Sequence, residues 1–314
     1  MAIRYLTIAL FSLLQWQFLL SHRLGGTFEE GYYDAYHERH LPFHSHRSLQ
    51  EEFRNEDGIP ICGFPEPSDA DLRELEASQK TSILGRFAKF AARFWRNLAQ
   101  RRRSIPTYYH IIQNATIAGP SAEQVRAQHD HLVEAFAPYG FSFTLKDITF
   151  TRNNDWFGYK EYNTDEERDM KTTLRRGGPE SLNVYVNNGK GVCGYAYLPK
   201  FYGQFPWNDG IVINFRCFGG ASQSQEGDVV VHEVGHWLGL LHPFSNCAEP
   251  GDGISDTPLQ GLPTRGCPAE PVNSCGKGFD SADNYMDYSS DVCKTRFTAG
   301  QAERMDEEWK KYRL

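Results

Sequence analysis

The chain has 314 residues, with 40 acidic against 33 basic side chains and a formal net charge of −7. That length supports one large domain or two modest ones around a buried core, and the acidic balance offers nothing that would hold a nucleic acid. No long apolar run follows residue 20, so no stable membrane insertion is expected, and an odd total of 7 cysteines leaves one over after any pairing.

Met1 to Ser21 carries one early charge, Arg4, and then an apolar run from Tyr5 to Leu20 broken only by Thr7, Ser12, Gln15 and Gln17. The run is too short and too polar at its end for a membrane span, so residues 1–21 read as a secretory signal peptide. A cut near Ser21 or Gly25 fits, with a retained anchor as the alternative. A secreted, extracellular product is expected, where disulfides persist. Residues 22–104 read as a propeptide. His37, His40, His44 and His46 crowd a polar stretch, read as an exposed leader rather than a metal-binding tract. Ile61 to Pro67 is turn-rich and holds a single cysteine, Cys62. Phe87, Phe90, Ala91 and Phe94 recur at helical spacing and call for a docking surface rather than a membrane. Arg101-Arg102-Arg103 then stands as a natural processing site just before a new apolar segment.

Ile105 to Ile112 is β-branched and aromatic, and predicts a first strand. Asn114-Ala115-Thr116 is a glycosylation sequon. Ser121 and Gln124 form a capping box opening a helix with Val125, Leu132, Val133 and Phe136 on one side, and Pro138-Tyr139-Gly140 closes it. His129 and His131 on that helix read as packing or surface residues. Phe141 to Phe150 predicts one or two strands, and Thr164-x-x-Glu167 caps a helix that ends at Gly177-Gly178-Pro179. Leu182 to Val186 and Gly210 to Phe215 read as further strands. The alternation, followed by a polar, cysteine-rich end, predicts an α/β (α+β) domain with a mixed sheet.

His232-Glu233-Val234-Gly235-His236 lies against that sheet as a helix. Residues four apart are about 40° apart around a helix and roughly 6 Å along it, so His232 and His236 can hold one ion from one face. Gly239 can break the helix, because glycine enters the left-handed conformation without strain, and the chain can then return His242 as a third ligand. Three nitrogen ligands leave the fourth place for water, the pattern of catalytic zinc, and Glu233 lies where a carboxylate can reach that water. The alternative is a buried amphipathic helix whose histidines only pack, but the glycine and third histidine at fixed spacing favour a zinc hydrolase.

The chain resembles the pappalysin (cytophagalysin) family of metzincin metalloproteases, and among these the compact, ulilysin-like secreted members. The resemblance rests on the extended zinc motif, Gly178 to Tyr185, Gly194-Tyr195-Ala196, Asp209 to Asn214, Ser255-Asp256-Thr257-Pro258, Asn284-Tyr285-Met286-Asp287-Tyr288 and Phe297-Thr298-x-Gly300-Gln301. It implies a metzincin catalytic domain over 105–314, with an N-terminal subdomain to about residue 242 and a disulfide-rich C-terminal subdomain over 243–314. The resemblance makes Met286 the methionine under the zinc site and Tyr288 the donor to the oxyanion. Asp291 becomes the acid at the base of the pocket for the residue after the scissile bond (P1′), with a preference for basic residues there.

Six later cysteines allow fifteen pairings by spacing. The resemblance implies Cys247–Cys275 and Cys267–Cys293, with Cys193–Cys217 as a further pair outside the family pattern. It makes Cys62 a switch whose thiolate takes the fourth zinc position in a zymogen, against the simpler reading of a free leader cysteine. It also implies structural calcium near Asp252, Asp256 and Thr257, a cluster that otherwise reads as turns. Pro243 departs from the family pattern without removing a ligand. The expected protein is a monomeric zinc endopeptidase acting on peptides or proteins and inhibited by its own propeptide. A zinc protein that binds peptides without cutting them is the rival, and it gives Glu233 no purpose.

Overall fold

The computed structural model describes residues 59–63, 103–159, 162–220 and 227–314. The expected signal peptide and nearly all of the expected propeptide lie outside the described residues. Strand β1 (Arg103–Gln113) begins two residues ahead of the expected boundary, with Arg103 paired to Asp306. Helix α1 (Ala122–Phe136) has the full Ser121/Gln124 capping box, and Gly140 turns the chain in the left-handed region, at φ 81°. The segment read as one or two strands is the single strand β2 (Phe141–Arg152).

Two helices follow, α2 (Asn154–Gly158) and α3 (Asp165–Leu174). The Thr164 hydroxyl accepts from the Glu167 backbone N–H, and Glu167 Oε2 accepts from the Asn163 backbone N–H. The helix stops at Leu174, before the predicted Gly177, because Arg175 already takes an extended conformation. Strands β3 (Leu182–Asn187), β4 (Gly194–Ala196) and β5 (Ile211–Asn214) complete the sheet. Helix α4 (Asp228–Trp237) and helix α5 (Ala299–Tyr312) complete the α-helices among the described residues.

The sheet order is β2-β1-β3-β5-β4. Its first four strands are parallel, and β4 pairs antiparallel to β5 at one edge. The mixed α/β architecture is therefore present. Period-2 alternation sorts the side chains: Val184, Val186, Ile211 and Ile213 face α1, α4 and α5, while Tyr185, Tyr195 and Val212 face α2 and α3. Both faces are covered, as a parallel sheet requires. Among the described residues no helix is long and apolar enough to cross a membrane.

The C-terminal region is held by loops, disulfides and α5 rather than by a sheet. Sulfur bonds join Cys247 to Cys275, Cys267 to Cys293, and Cys193 to Cys217. Helix α5 was not foreseen, although Thr298 and Gln301 form its capping box. Near its end Arg313 is wholly buried. Its guanidinium lies 3.6 Å from the Trp237 ring centroid, donates to the Trp237 carbonyl, and meets Asp209 at 3.0 Å.

Candidate active site

Helix α4 is buried along its whole length, and its C-terminal turn is set by Gly239, whose φ of +97° places it in the left-handed region. The turn carries the chain back so that His242 meets His232 and His236. The three Nε2 atoms lie 3.1–3.2 Å from one another. Each Nδ1 of His232 and His236 lies 2.8 Å from a backbone carbonyl, of Tyr285 and Leu240 respectively. The carbonyls can only accept, so these two rings carry their protons on Nδ1 and turn Nε2 lone pairs inward. Lone pairs brought this close repel unless a cation lies among them. Burial and the neighbouring histidines also push the pKa values of His232 and His236 well below the usual value, so both rings stay neutral. This donor set fits zinc.

Cys62 is the one cysteine among the described residues outside a disulfide, and it is buried. Its sulfur lies 3.8 Å from His236 Nε2. Among the described residues, one group of three or more His, Cys, Asp or Glu side chains is close enough to share an ion: Cys62, His232, His236 and His242. The thiol reaches this place because its segment lines the β4 edge. Cys193 N donates to Pro60 O at 2.7 Å, Gly63 N donates to Gly194 O at 2.8 Å, and the Cys62–Gly194 bridge is parallel.

Glu233 is fully buried, and neither carboxylate oxygen accepts a hydrogen bond of regular geometry. Burial pushes its carboxyl up to about 8, and the Cys62 thiol beside it pulls the other way. Gly194 closes the space above it: a Cβ there would lie 2.7 Å from Glu233 Cγ and 2.8 Å from Oε1. The Tyr288 hydroxyl stands 3.3 Å from His242 Nε2. Met286 is fully buried, and its sulfur packs where a side chain on Gly235 would otherwise project. That contact explains a glycine inside the zinc helix, a position where helix propensity alone disfavours it.

Asp291 lies at the start of α4, where Oδ2 accepts from the backbone N–H groups of Gly227 and Asp228 at 3.3 Å. Its other oxygen is 3.1 Å from Lys294 Nζ. Asp252 and Thr257 are buried, and Asp252 Oδ2 and Thr257 Oγ1 make no regular hydrogen bond. Burial raises the Asp252 carboxyl to about 7, opposed mainly by the Ile254 N–H. Asp256 instead accepts from Thr298 Oγ1 and Gly300 N, both at 2.8 Å, at the start of α5. His129 and His131 stand outside the cluster: His131 is 2.7 Å from Asp228 and His129 packs on Tyr109. Asn114 Oδ1 accepts from the backbone N–H groups of Thr116 and Ile117 in a turn.

Sequence reasoning did not anticipate the contacts of Gly194, Lys294 or Arg313. An i,i+3 spacing from Asp291 was the available signal for Lys294; no local pattern marks Arg313.

A mixed sheet with a buried helix carrying two of three convergent histidines and an adjacent carboxylate defines a zinc metalloendopeptidase of metzincin build. The comparisons agree. The family model of peptidase M43, described as pregnancy-associated plasma protein-A, matches residues 179–310. An extracellular metalloprotease of Coccidioides posadasii (strain C735) is 34% identical over 266 residues, spanning 82% of this chain and 91% of that one. One from Arthroderma gypseum is 38% identical over 254 residues, with 77% and 82% covered. Among solved structures, mature mirolysin of Tannerella forsythia with a cleaved peptide matches at a TM-score of 0.55 and 30% identity, over 64% of this chain and 89% of that one. A promirolysin mutant from the same organism matches at a TM-score of 0.60 and 25% identity, over 81% and 94%. The chain belongs to the peptidase M43, or pappalysin, family.

Proposed function

We propose that the protein is a secreted zinc endopeptidase made as a zymogen, with Glu233 as its general acid and base. The observation that carries this reading is the convergence of the His232, His236 and His242 Nε2 atoms beside a buried Glu233. Zinc bound by these histidines supplies Lewis acidity towards the scissile carbonyl and towards water. Glu233 accepts a proton on a carboxylate oxygen as water adds to that carbonyl, and delivers it to the leaving amine as the C–N bond breaks. The Tyr288 hydroxyl donates a hydrogen bond to the oxygen that gains charge. An extended substrate adds to the β4 edge through its backbone.

Cys62 keeps the zymogen silent. The segment around it takes the hydrogen bonds of the β4 edge and sets a thiol at the histidines, so substrate and propeptide compete for one place. Secretion is in keeping with the relatives named extracellular metalloproteases. We place the propeptide at 22–104 and the catalytic domain at 105–314, divided near 242, acting as a monomer without membrane insertion. Asp291 is the acid addressed by a basic P1′ side chain. Calcium is proposed at Asp252 and Thr257, with Asp256 tied instead to α5; its signature is a melting temperature raised by calcium and indifferent to it in Asp252→Asn. Asn114 is proposed to carry a glycan, read as a mobility shift on glycosidase treatment.

The decisive experiment compares cleavage of a peptide library by the processed protein with and without a chelator, alongside Glu233→Ala. Chelator and substitution should each abolish cleavage, the latter by about 10³-fold or more, while Glu233→Ala keeps its zinc. Chelator-insensitive cleavage, or equal cleavage by Glu233→Ala, would sink the reading. A wild-type protein that binds peptides but cuts none would favour the non-catalytic alternative.

A further inference from the structure

The segment from Tyr288 to Lys294 forms a wall beside the zinc centre. It starts at the Tyr288 hydroxyl, 3.3 Å from His242, and ends against the first turn of α4, one helical turn before His232. Cys293, within this wall, is tied to Cys267. Two acidic side chains meet there, and each has a cation or a histidine against it. Asp228 is 2.7 Å from His131, and Asp291 is 3.1 Å from Lys294, whose side chain is only 3% exposed.

A lysine this deeply buried needs a counter-charge, because an ammonium removed from water without one carries a large desolvation penalty. Asp291 supplies it. A guanidinium or ammonium arriving from a substrate would therefore share a carboxylate already engaged by Lys294 and by two backbone N–H groups. It would also face a like charge at close range in a site screened from solvent, where repulsion is stronger than at the surface. A neutral side chain meets no such opposition.

We propose that Lys294 is the specificity-determining residue of the P1′ pocket, an internal counter-ion that mutes the preference Asp291 would otherwise give for Arg or Lys. This rests on the reading that Asp291 lies at the base of that pocket in a zinc endopeptidase. Discrimination here is set by a repulsive element as much as by an attractive one.

The test uses the processed enzyme and peptides identical except for Arg, Leu or Glu at P1′. Lys294→Met should raise the Arg-to-Leu ratio of kcat/KM by about tenfold or more, mainly through a lower KM for the Arg peptide. Lys294→Arg keeps the positive charge and should hold the wild-type ratio. Asp291→Asn, which leaves Lys294 unopposed, should shift preference towards the Glu peptide, and provides the answer if Lys294→Met does not fold. A folded Lys294→Met enzyme with an unchanged ratio, or an Asp291→Asn enzyme without the shift towards Glu, overturns the proposal. Failure of the protease reading looks different: the wild-type protein then cleaves none of the three peptides, or cleaves them despite a chelator.

Discussion

Two glutamates lie on opposite faces of the short strand β4, both wholly buried, and their surroundings are opposite in kind. Glu167 meets Lys171 Nζ at 2.8 Å and accepts hydrogen bonds from the Tyr195 hydroxyl and the Asn163 backbone. Lys171 in turn donates to Asn208 twice at 2.9 Å. Glu233 has no regular hydrogen bond on either oxygen and is held towards its protonated form by burial. Adjacent residues of one strand serve the two sides, since Tyr195 reaches Glu167 while Gly194 abuts Glu233. A buried carboxylate with its acceptor sites filled is a fixed part of the framework. One left without them is not fixed in this way and stays open to whatever binds beside it.

Lys171→Met tests the first half of this contrast and carries the largest expected effect. It leaves Glu167 charged without its partner, and stability should fall by about 3–5 kcal/mol in denaturant titration. Activity per folded molecule should stay within about twofold, because the pair does not touch the reacting groups. Loss of activity without loss of stability would break the distinction between the two glutamates.

His110 sharpens it, being buried and well partnered yet built to remain neutral. It is 3.1 Å from Asn183 Oδ1 and 2.9 Å from Thr149 Oγ1. Burial first, and then the Arg176 charge, lower its pKa to about 4, with the Asn183 bond and Asp147 opposing. Between the ordinary value near 6.5 and about 4 the unfolded chain binds a proton that the folded chain refuses. Stability is therefore full above that window and lost as pH falls through it, by about 3 kcal/mol. Urea titrations from pH 7 to pH 4 should show this slope, flattened in His110→Gln. An identical slope in the variant would show that other groups set the acid limit.

The smallest effect is expected at Gly194. Alanine there presses on Glu233 Cγ and Oε1, and small overpacking of this kind is worth about 1–3 kcal/mol. The cleavage rate should fall by about tenfold, with a displaced limb in the pH–rate profile and a melting temperature lower by about 2–4 °C for each kcal/mol lost. An unaltered pH–rate profile would mean that Glu233 is not held by the strand above it.

Much of the framework was legible because it follows local rules. Strands β1, β3 and β5 are runs of β-branched residues, and the caps of α1 and α3 are written in Ser121, Gln124 and Thr164. The histidine geometry was legible for the same reason: helix periodicity and one glycine set it. Strand β4 escaped because three residues containing a glycine carry no pattern, and its existence depends on pairing with β5. Helix α5 carried a readable cap at Thr298 and Gln301 but was submerged in the turn-rich, cysteine-bearing region before it. The Asp291–Lys294 pairing and the engagement of Asp256 by α5 depend on which atoms the fold brings together, and composition does not encode that.

The grip of Arg313 on the carbonyl of Trp237 also has a consequence for biosynthesis. All three clustered histidines have been translated by His242, but Arg313, which grips the end of their helix, follows about seventy residues later. A chain still on the ribosome thus possesses its ligands well before it possesses the means to hold them in register. The histidine-bearing helix gains this anchor only once Arg313 has been added. A ribosome-stalled chain ending at Cys293 should carry all three histidines and cleave nothing, even with Cys62 replaced.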